Sequence, residues 1–274
     1  MKDLHDRAPS RVLRAAGEET VCRDIGTVIG TRVDAIRLHE AIARVTHWAQ
    51  TGQPAMVCFT NAHSLVTARQ EAALAQALSD AQLCLPDGAP VAWMLGRLRG
   101  RTQPRVSGPD LMWAYLEQAA GRGEPIFLYG GSPATLEALQ DRLREALPGL
   151  VIAGALSPPF RALCPSEDAD VVERINASGA RTVWVGLGCP KQEIWMREHL
   201  GRVRPVMLGV GAAFDFHAGI VERAPRWMRA SGLEWLHRLL QEPSRLWRRY
   251  LYTNAAFVHA AATQLLSGRR ARRS

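Results

Sequence analysis

The sequence predicts an α/β fold: a mostly parallel sheet covered by helices on both faces, followed by two further helices at the C-terminal end. Between residues 55 and 210, short apolar runs alternate with amphipathic segments, a pattern typical of parallel strands covered by helices on both faces. The alternation stops after Pro225. The 274 residues are enough for one large α/β domain and an appendage.

The elements follow in order along the chain. Apolar residues at three-and-four spacing predict a first helix over 36–49, which Gly52 and Pro54 end. The central region is predicted as strand 55–60, helix 64–77, strand 83–85, helix 91–98, a helix capped by Ser107, strand 125–129, helix 134–146, strand 150–155, helix 167–177, strand 182–186, helix 191–199 and strand 205–210. Two further helices, 226–241 and 244–266, are expected on either side of Pro243.

Charge divides the chain into a neutral body and a basic end. Residues 223–274 carry eleven arginines, no lysine and two acids, whereas residues 1–222 carry 23 basic and 24 acidic side chains. Such an excess indicates nucleic acid, a membrane surface or a phosphorylated substrate as partner. We therefore predict a flexible N-terminal segment (1–25), a core (26–223) and a basic helical, membrane-associating appendage (224–274).

Few features point to a metal or to a membrane-spanning segment. The five cysteines form no CxxC pair, and no cluster of cysteine and histidine has metal-ligand spacing. Scattered cysteines fit a reducing cytosol. No apolar segment of signal-peptide length begins the chain, and no run of about 18 apolar residues occurs. We expect a cytoplasmic protein whose membrane contact is peripheral.

Unusual polar and small residues follow several predicted strands. Because ligands of such sheets bind beyond the carboxyl ends of the strands, these residues are expected to converge on one site. They are Thr60-Asn61, Asp87-Gly88, Gly130-Gly131-Ser132, Gly186-Leu187-Gly188 and Asp215.

Each of these positions has a structural alternative. Asp87 is either a turn residue or a carboxylate that takes a proton from an attacking hydroxyl. Asn61 caps the next helix or, with Thr60, binds a sugar or diphosphate. Asp215 binds a ribose or uracil, or caps the segment after it.

Two glycine-rich turns complete the predicted site. The amides of Gly130-Gly131-Ser132 at a helix start suit a phosphate, although the spacing is neither GxGxxG nor the Walker pattern. Gly188 allows a ligand close to the backbone, and Gln192 and Glu193 follow in the first helical turn. A tight strand-to-helix loop is the alternative for that segment.

Arginines and aromatic residues are interleaved in the basic end. This mixture suits a helix on a membrane surface, but it also suits a nucleic acid, and a helix packed on the core with solvated arginines is a third reading. The arginines assigned here to the membrane or a diphosphate are Arg238, Arg245, Arg248 and Arg249.

Taken together, eight ordered motifs resemble the WecG/TagA/CpsF glycosyltransferase family from about residue 26 to residue 254. They are TNAHS, LPDGAPV, RVSGPDL, FLYGGSP, VGLGCPKQE, GVGAAFDFHAG, RAPRWM and GLEWLHRLLQEPSRLWRRY. The resemblance implies a Rossmann-like α/β/α sandwich with a C-terminal helical appendage. It also implies inverting transfer of a sugar from a UDP-sugar to an undecaprenyl-diphosphate-linked saccharide, without a metal or another cofactor. The partners implied are the donor, the lipid-linked acceptor and the anionic inner face of the plasma membrane.

Residue by residue, the resemblance implies a catalytic base at Asp87, a substrate pair at Thr60 and Asn61, and a sugar-contacting Gln192. Arg105 matches the basic residue near the sugar and diphosphate. Arginines of the tail are implied to complete the pocket. The AAFDFHAG phrase points towards UDP-glucose or another UDP-hexose rather than UDP-N-acetylmannosamine or its uronic acid. The acceptor sugar and the oligomeric state, a homo-oligomer included, are left open.

Two functions from other classes were weighed. A Rossmann-type NAD(P)-dependent oxidoreductase is disfavoured because no strand is followed by GxGxxG and an acid about 20 residues later. A protein that binds nucleic acid through its arginine tail is disfavoured because the body is neutral and contains no recognised binding module.

Overall fold

A computed structural model describes residues 23–270. Its centre is a six-stranded, wholly parallel sheet with the strand order β4-β3-β8-β7-β5-β6, and a separate antiparallel hairpin pairs β1 with β2. The strands are β1 (Ile25–Val28), β2 (Thr31–Asp34), β3 (Met56–Thr60), β4 (Leu83–Pro86), β5 (Pro125–Gly130), β6 (Val151–Leu156), β7 (Thr182–Gly186) and β8 (Val206–Gly209). The predicted fold class is confirmed.

Twelve helices are described between residues 23 and 270. They are α1 (Leu38–Thr51), α2 (Ala62–Ala68), α3 (Ala72–Asp80), α4 (Ala89–Arg99), α5 (Gly108–Arg122), α6 (Pro133–Ala146), α7 (Pro165–Ala177), α8 (Lys191–Glu198), α9 (Ala213–His217), α10 (Arg226–Ala230), α11 (Glu234–Gln241) and α12 (Pro243–Arg270). Ser107 caps α5 as predicted, because its hydroxyl accepts a hydrogen bond from the Asp110 amide.

The sheet buries apolar side chains on both faces, since successive residues of a strand point to opposite sides. In β7, Val183 and Val185 belong to the core on one face, and Trp184 belongs to the core on the other. The first face is covered by helices that include α2, α3, α4 and α8, and the second by α1, α5, α6 and α9. This explains why these strands are apolar throughout rather than alternating.

The structure departs from the predicted elements at three places. The predicted helix 64–77 is two helices, because α2 ends near Arg69 and the amides of Gln70 and Glu71 bond back to the Thr67 carbonyl. The predicted helix 226–241 is likewise divided into α10 and α11, with Gly232 at a φ of +74° between them. Helix α9 was not predicted at all.

Besides these three differences in the helices, the β1–β2 hairpin was also not predicted. Its two-residue turn has positive φ at both Ile29 (41°) and Gly30 (96°), the backbone that such hairpins require. Asp34 joins the hairpin to the sheet, because its carboxylate accepts from the Cys84 amide (2.8 Å) and from Arg23 (2.7 Å). Strand β1 thus begins at Ile25, the last residue of the predicted segment 1–25, and residues 1–22 lie outside the described residues.

The last helix packs on the body through its C-terminal half. Phe257, Ala260 and Ala261 are buried in the same core cluster as the α2 side chains. Gln264 donates to the Thr27 carbonyl (2.6 Å) and accepts from the Ile29 amide (2.7 Å) of the hairpin. The appendage is thus held to the body by the C-terminal half of α12. Along the chain, α10 and α11 lie between the last strand, β8, and this attachment.

Candidate active site

A cleft of about 1320 Å³ lies at the carboxyl ends of the strands. Turns after β3, β4, β5, β7 and β8 line one side, and residues of α11 and α12 line another. The site residues expected at this edge therefore do converge, apart from two exceptions described below. The cleft also receives part of the C-terminal helices, which local sequence patterns do not predict.

Asp87 lies in the turn that follows β4. Its amide donates to the carbonyl of Thr60 (2.9 Å), and Gly88 adopts a φ of +90° so that the chain can turn directly into α4. The carboxyl group is half-buried. Burial raises the pKa of Asp87 to about 6; Arg105 opposes that shift, and the acids Glu234 and Asp110 add to it. A carboxylate with this pKa is suited to accept a proton near neutral pH.

Next to Asp87 lies a network of three arginines and two acids. Arg105 donates to Glu234 (2.5 Å), and Arg223 lies 2.8 Å from Asp110 and 3.5 Å from Glu234. Arg229 is 3.4 Å from Asp110. We call these five residues the arginine cluster. Its side chains are each exposed by a third or less, so their charges are only partly screened by water.

The first exception lies in the glycine turn after β5. The Gly131 amide donates to the Gly186 carbonyl (3.0 Å), and Gly130 is packed so tightly that a Cβ would lie 2.6 Å from the Gly186 backbone. The Gly131 amide is therefore used within the protein and Gly130 does not line the cleft, while phosphate binding by this turn stays a prediction. Gly131 and Ser132 do line the cleft, and the Ser132 hydroxyl caps α6 by accepting from Thr135.

Thr60 is the second exception. Its side chain is fully buried, and its hydroxyl donates to the carbonyl of Leu85 (2.9 Å), which ties β3 to β4. The prediction that Thr60 contacts substrate is not supported, because the residue does not reach the cleft. Asn61 does line the cleft, and its side chain caps α2 by accepting from the Ser64 amide (3.0 Å), so the capping role is confirmed and the contact with a sugar or diphosphate stays a prediction.

The turn after β7 brings Gly188, Gln192 and Glu193 to the cleft. The Gln192 side chain accepts from the Gly188 amide (3.1 Å) and donates to the Gly209 carbonyl (2.8 Å) and to Glu193 (2.9 Å). Gln192 therefore ties the turn after β7 to the end of β8, besides lining the site. Burial raises the pKa of Glu193 to about 6, and one of its carboxylate oxygens makes no hydrogen bond to any described residue.

Residues of the C-terminal third occupy different parts of the surface. Asp215 lines the cleft from α9, and Arg238 lines it from α11 with its guanidinium 5.4 Å from the centre of the Phe216 ring. Arg248 is exposed and lies over the Trp247 ring (5.3 Å), away from the cleft. The side chains of Arg245 and Arg249 fall outside those that the structure describes.

An aromatic stack forms the other end of the cleft and was not predicted. Trp195 stacks between Tyr129 (4.4 Å) and His199 (4.1 Å). His199 also bonds to Asp168 (2.7 Å), which pairs with Arg202 at the same distance. Asp168 had been read as a surface residue at a helix start, and its partners come from about 30 residues away along the chain. The stack gives this end a flat apolar wall with a polar edge.

The acids and arginines of the arginine cluster were likewise missed as a unit. Asp110 was read only as part of a helix start, and Glu234 was not singled out. Both belong to quoted motifs, RVSGPDL and GLEWLHR, which is the signal that could have found them. Arg223 begins the RAPRWM motif. Their convergence joins segments more than 100 residues apart.

Neither a metal-binding cluster nor a membrane-spanning helix occurs in the described part of the chain. Among residues 23–270, no group of three or more His, Cys, Asp or Glu side chains is arranged to hold a metal ion. In the same part of the chain, none of the helices has the length and apolar character needed to cross a membrane.

The chain matches one family model over nearly its whole length. The model is that of the Glycosyl transferase WecG/TagA/CpsF family, and the match covers residues 26–271. The matched range contains every cleft residue named above, from Asn61 to Arg238.

Proposed function

Because the chain belongs to the WecG/TagA/CpsF family and is a glycosyltransferase of cell-surface polysaccharide biosynthesis, we propose that it is an inverting enzyme with a UDP-sugar donor. It moves a hexose or N-acetylhexosamine-type sugar to an undecaprenyl-diphosphate-linked saccharide. The resemblance of AAFDFHAG favours UDP-glucose or another UDP-hexose. Because the chain belongs to this family, we do not retain an oxidoreductase or a nucleic-acid-binding protein as its main function.

The observation that carries the proposal is a carboxyl group with a raised pKa in the cleft, beside the arginine cluster, of which Arg105 and Glu234 line the cleft. Asp87, with a pKa of about 6, is largely ionised at neutral pH and is suited to remove the proton of the acceptor hydroxyl. The hydroxyl oxygen then attacks the anomeric carbon from the face opposite the leaving UDP. A single displacement of this kind inverts the configuration.

The leaving group gains negative charge as the glycosidic bond breaks. Arg105 and Arg223 are suited to stabilise that charge, because guanidinium groups match phosphate oxygens in a bidentate geometry. The charges act in a partly buried site, where electrostatic stabilisation is stronger than in water. We propose that these arginines perform the task that a metal ion performs in metal-dependent transferases.

Membrane association is proposed for the outer surface of α10–α12. Trp227, Trp247 and Tyr252 are about half exposed or more, and Arg226 and Arg248 are exposed on the same helices. Aromatic rings favour the interface of a bilayer, and arginines near an anionic leaflet contribute about 1 kcal/mol each. This surface would hold the cleft near the lipid-linked acceptor at the inner face of the plasma membrane.

The experiment is a titration of the full chain with UDP, UDP-glucose, UDP-N-acetylmannosamine and NAD in EDTA, followed by a transfer assay. We expect the UDP compounds to bind and NAD not to bind. The anomeric configuration of the product, measured by NMR, should be opposite to that of the donor. Retention of configuration would refute the single displacement, and NAD binding with no response to UDP compounds would refute the donor assignment.

A further inference from the structure

A carboxylate from the C-terminal helices occupies the arginine cluster. Glu234 is the first residue of α11, and its side chain contacts Arg105 of the body (2.5 Å) as well as Arg223 (3.5 Å), which precedes α10. Glu234 is mostly buried in this contact, with 16% of its side chain exposed. It therefore joins the appendage to the two arginines that a diphosphate would need.

Charge balance makes these two anions compete. The cluster holds three arginines against Asp110 and Glu234, with Asp87 beside them. A diphosphate adds two negative charges to the same half-buried place, and a carboxylate and a phosphate use the same guanidinium N–H groups. The arginines are best neutralised by either Glu234 or the diphosphate, and not by both.

The two acids of the cluster differ in how firmly they are held. Asp110 lies in the first turn of α5, a helix that buries seven of its residues in the core or against it. Glu234 lies on α11, none of whose residues is fully buried. Segments with few buried contacts open at the lowest free-energy cost. Glu234 is thus the acid that can leave.

We propose that Glu234 is an internal competitor of the donor diphosphate: its carboxylate holds Arg105 and Arg223 until a diphosphate displaces it, and α11 then loosens from the cleft. The identity of the competing anion as a UDP-sugar rests on the proposed function. We call this competition by Glu234 the latch. The latch rests only on the contacts of Glu234 and needs no particular nucleotide or sugar.

The latch lowers the apparent affinity for any diphosphate. Apparent affinity falls with the fraction of molecules in the competent state, so a latch closed in about nine molecules of ten weakens binding on the order of 10-fold. Glu234→Gln keeps the shape of the side chain and removes its charge. The control is Glu145→Gln, which removes the same charge from an exposed site at the far end of α6.

The test measures binding of inorganic pyrophosphate and of UDP to the full chain and both variants by titration calorimetry. We expect Glu234→Gln to bind pyrophosphate about 10-fold more tightly than the unmodified chain, and Glu145→Gln to bind it equally. In the unmodified chain, pyrophosphate should speed amide hydrogen exchange in residues 234–241. Equal or weaker binding by Glu234→Gln, or exchange that pyrophosphate leaves unchanged, would overturn the latch.

The two probes separate the latch from the donor assignment. Tighter pyrophosphate binding by Glu234→Gln, with no UDP binding by any form, would keep the latch and refute a UDP donor. UDP binding that is equal in all three forms would keep the donor and refute the latch.

Discussion

The two sides of the cleft are built on different physical terms. On the sheet side, polar groups are satisfied internally: Gln192 makes three hydrogen bonds to its own turn and β8, and the Gly131 amide is used by Gly186. On the appendage side, Glu234 of α11 is held through ion pairs, and no residue of α11 is fully buried. The sheet side is therefore preorganised, whereas the ion pairs of Glu234 on the appendage side can be replaced by those of a charged ligand.

This difference indicates a division of labour. Asp87 belongs to the rigid side, where its position is set by the turn after β4 and by a hydrogen bond from its backbone amide to the Thr60 carbonyl. Catalytic groups gain most when their geometry is fixed before the substrate arrives. The ion pairs of the arginine cluster span both sides, so binding of a diphosphate and release of α11 are linked there.

The largest effect is expected from Asp87→Asn, which removes the base and keeps the shape. Transfer should fall by about 10²–10⁴-fold. Because the folded pKa of Asp87 is raised to about 6, its contribution to stability is lost as pH rises from about 4 to about 6, so the ionised group is a cost at pH 7. The variant should melt no lower than the unmodified chain at pH 7. Asp141→Asn, on the exposed face of α6, is the control, and full turnover by Asp87→Asn would refute the assignment.

A smaller but still large effect is expected from Arg105→Ala. The loss of one charge-stabilising donor at a developing anion typically costs about 10²–10³-fold in turnover. Arg101→Ala is the matched control, because Arg101 is exposed and pairs with Asp24 outside the cleft. Steady-state kinetics with varied donor measure the difference. If both variants lose activity equally, Arg105 has no special place in the reaction.

A test of the link between the two sides is Gly232→Ala. Gly232 lies between α10 and α11, and a Cβ there would approach the Ala89 side chain, next to Gly88, to 2.6 Å. The added methyl should push α11 and Glu234 away from the arginine cluster and tighten pyrophosphate binding by up to about 10-fold, because it favours the open latch. Gly201→Ala has a similar positive φ with open space around it, so it controls for backbone strain. Pyrophosphate affinity equal to that of the control would show that the position of α11 does not control the latch.

The smallest kinetic effect is expected from Thr60→Val on the rigid side. The hydroxyl of Thr60 is buried and bonds to the Leu85 carbonyl. Its removal should lower the free energy of unfolding by about 0.5–1.5 kcal/mol, because one buried hydrogen bond is lost while the Leu85 carbonyl still accepts from the Asp87 amide. The KM for the donor should not change. Denaturant unfolding and donor titration measure the two quantities, and a raised KM with unchanged stability would restore Thr60 as a substrate contact.

Sequence patterns were sufficient where the physics is local. The bounds of β7 were predicted to the residue, because Thr182–Gly186 is an apolar run between helical segments. The cap at Ser107 was also predictable from residue type alone. The hairpin was not, because its strands have four residues and its turn places a β-branched residue, Ile29, at positive φ.

The site was predictable in position and only partly in its contacts. The carboxyl ends of parallel strands meet at one edge, so Asp87, Asn61 and Gln192 were expected together. Whether a polar side chain faces the cleft or the core depends on packing, which is why Thr60 was misplaced. The pairing of Arg105 with Glu234 joins residues 129 positions apart, and no spacing rule predicts it.

The central claim is that Asp87 acts as the base, and the pH dependence of kcat/KM tests it most directly. This parameter reports groups of the free enzyme, where burial raises the pKa of Asp87 to about 6. A base must be deprotonated, so the account predicts an acidic limb with an apparent pKa near 6, and about a 10-fold lower kcat/KM at pH 5 than at pH 7.5. The limb should be absent from the residual activity of Asp87→Asn. Equal rates at pH 5 and pH 7.5 in the unmodified enzyme, or the same limb in the variant, would contradict the account.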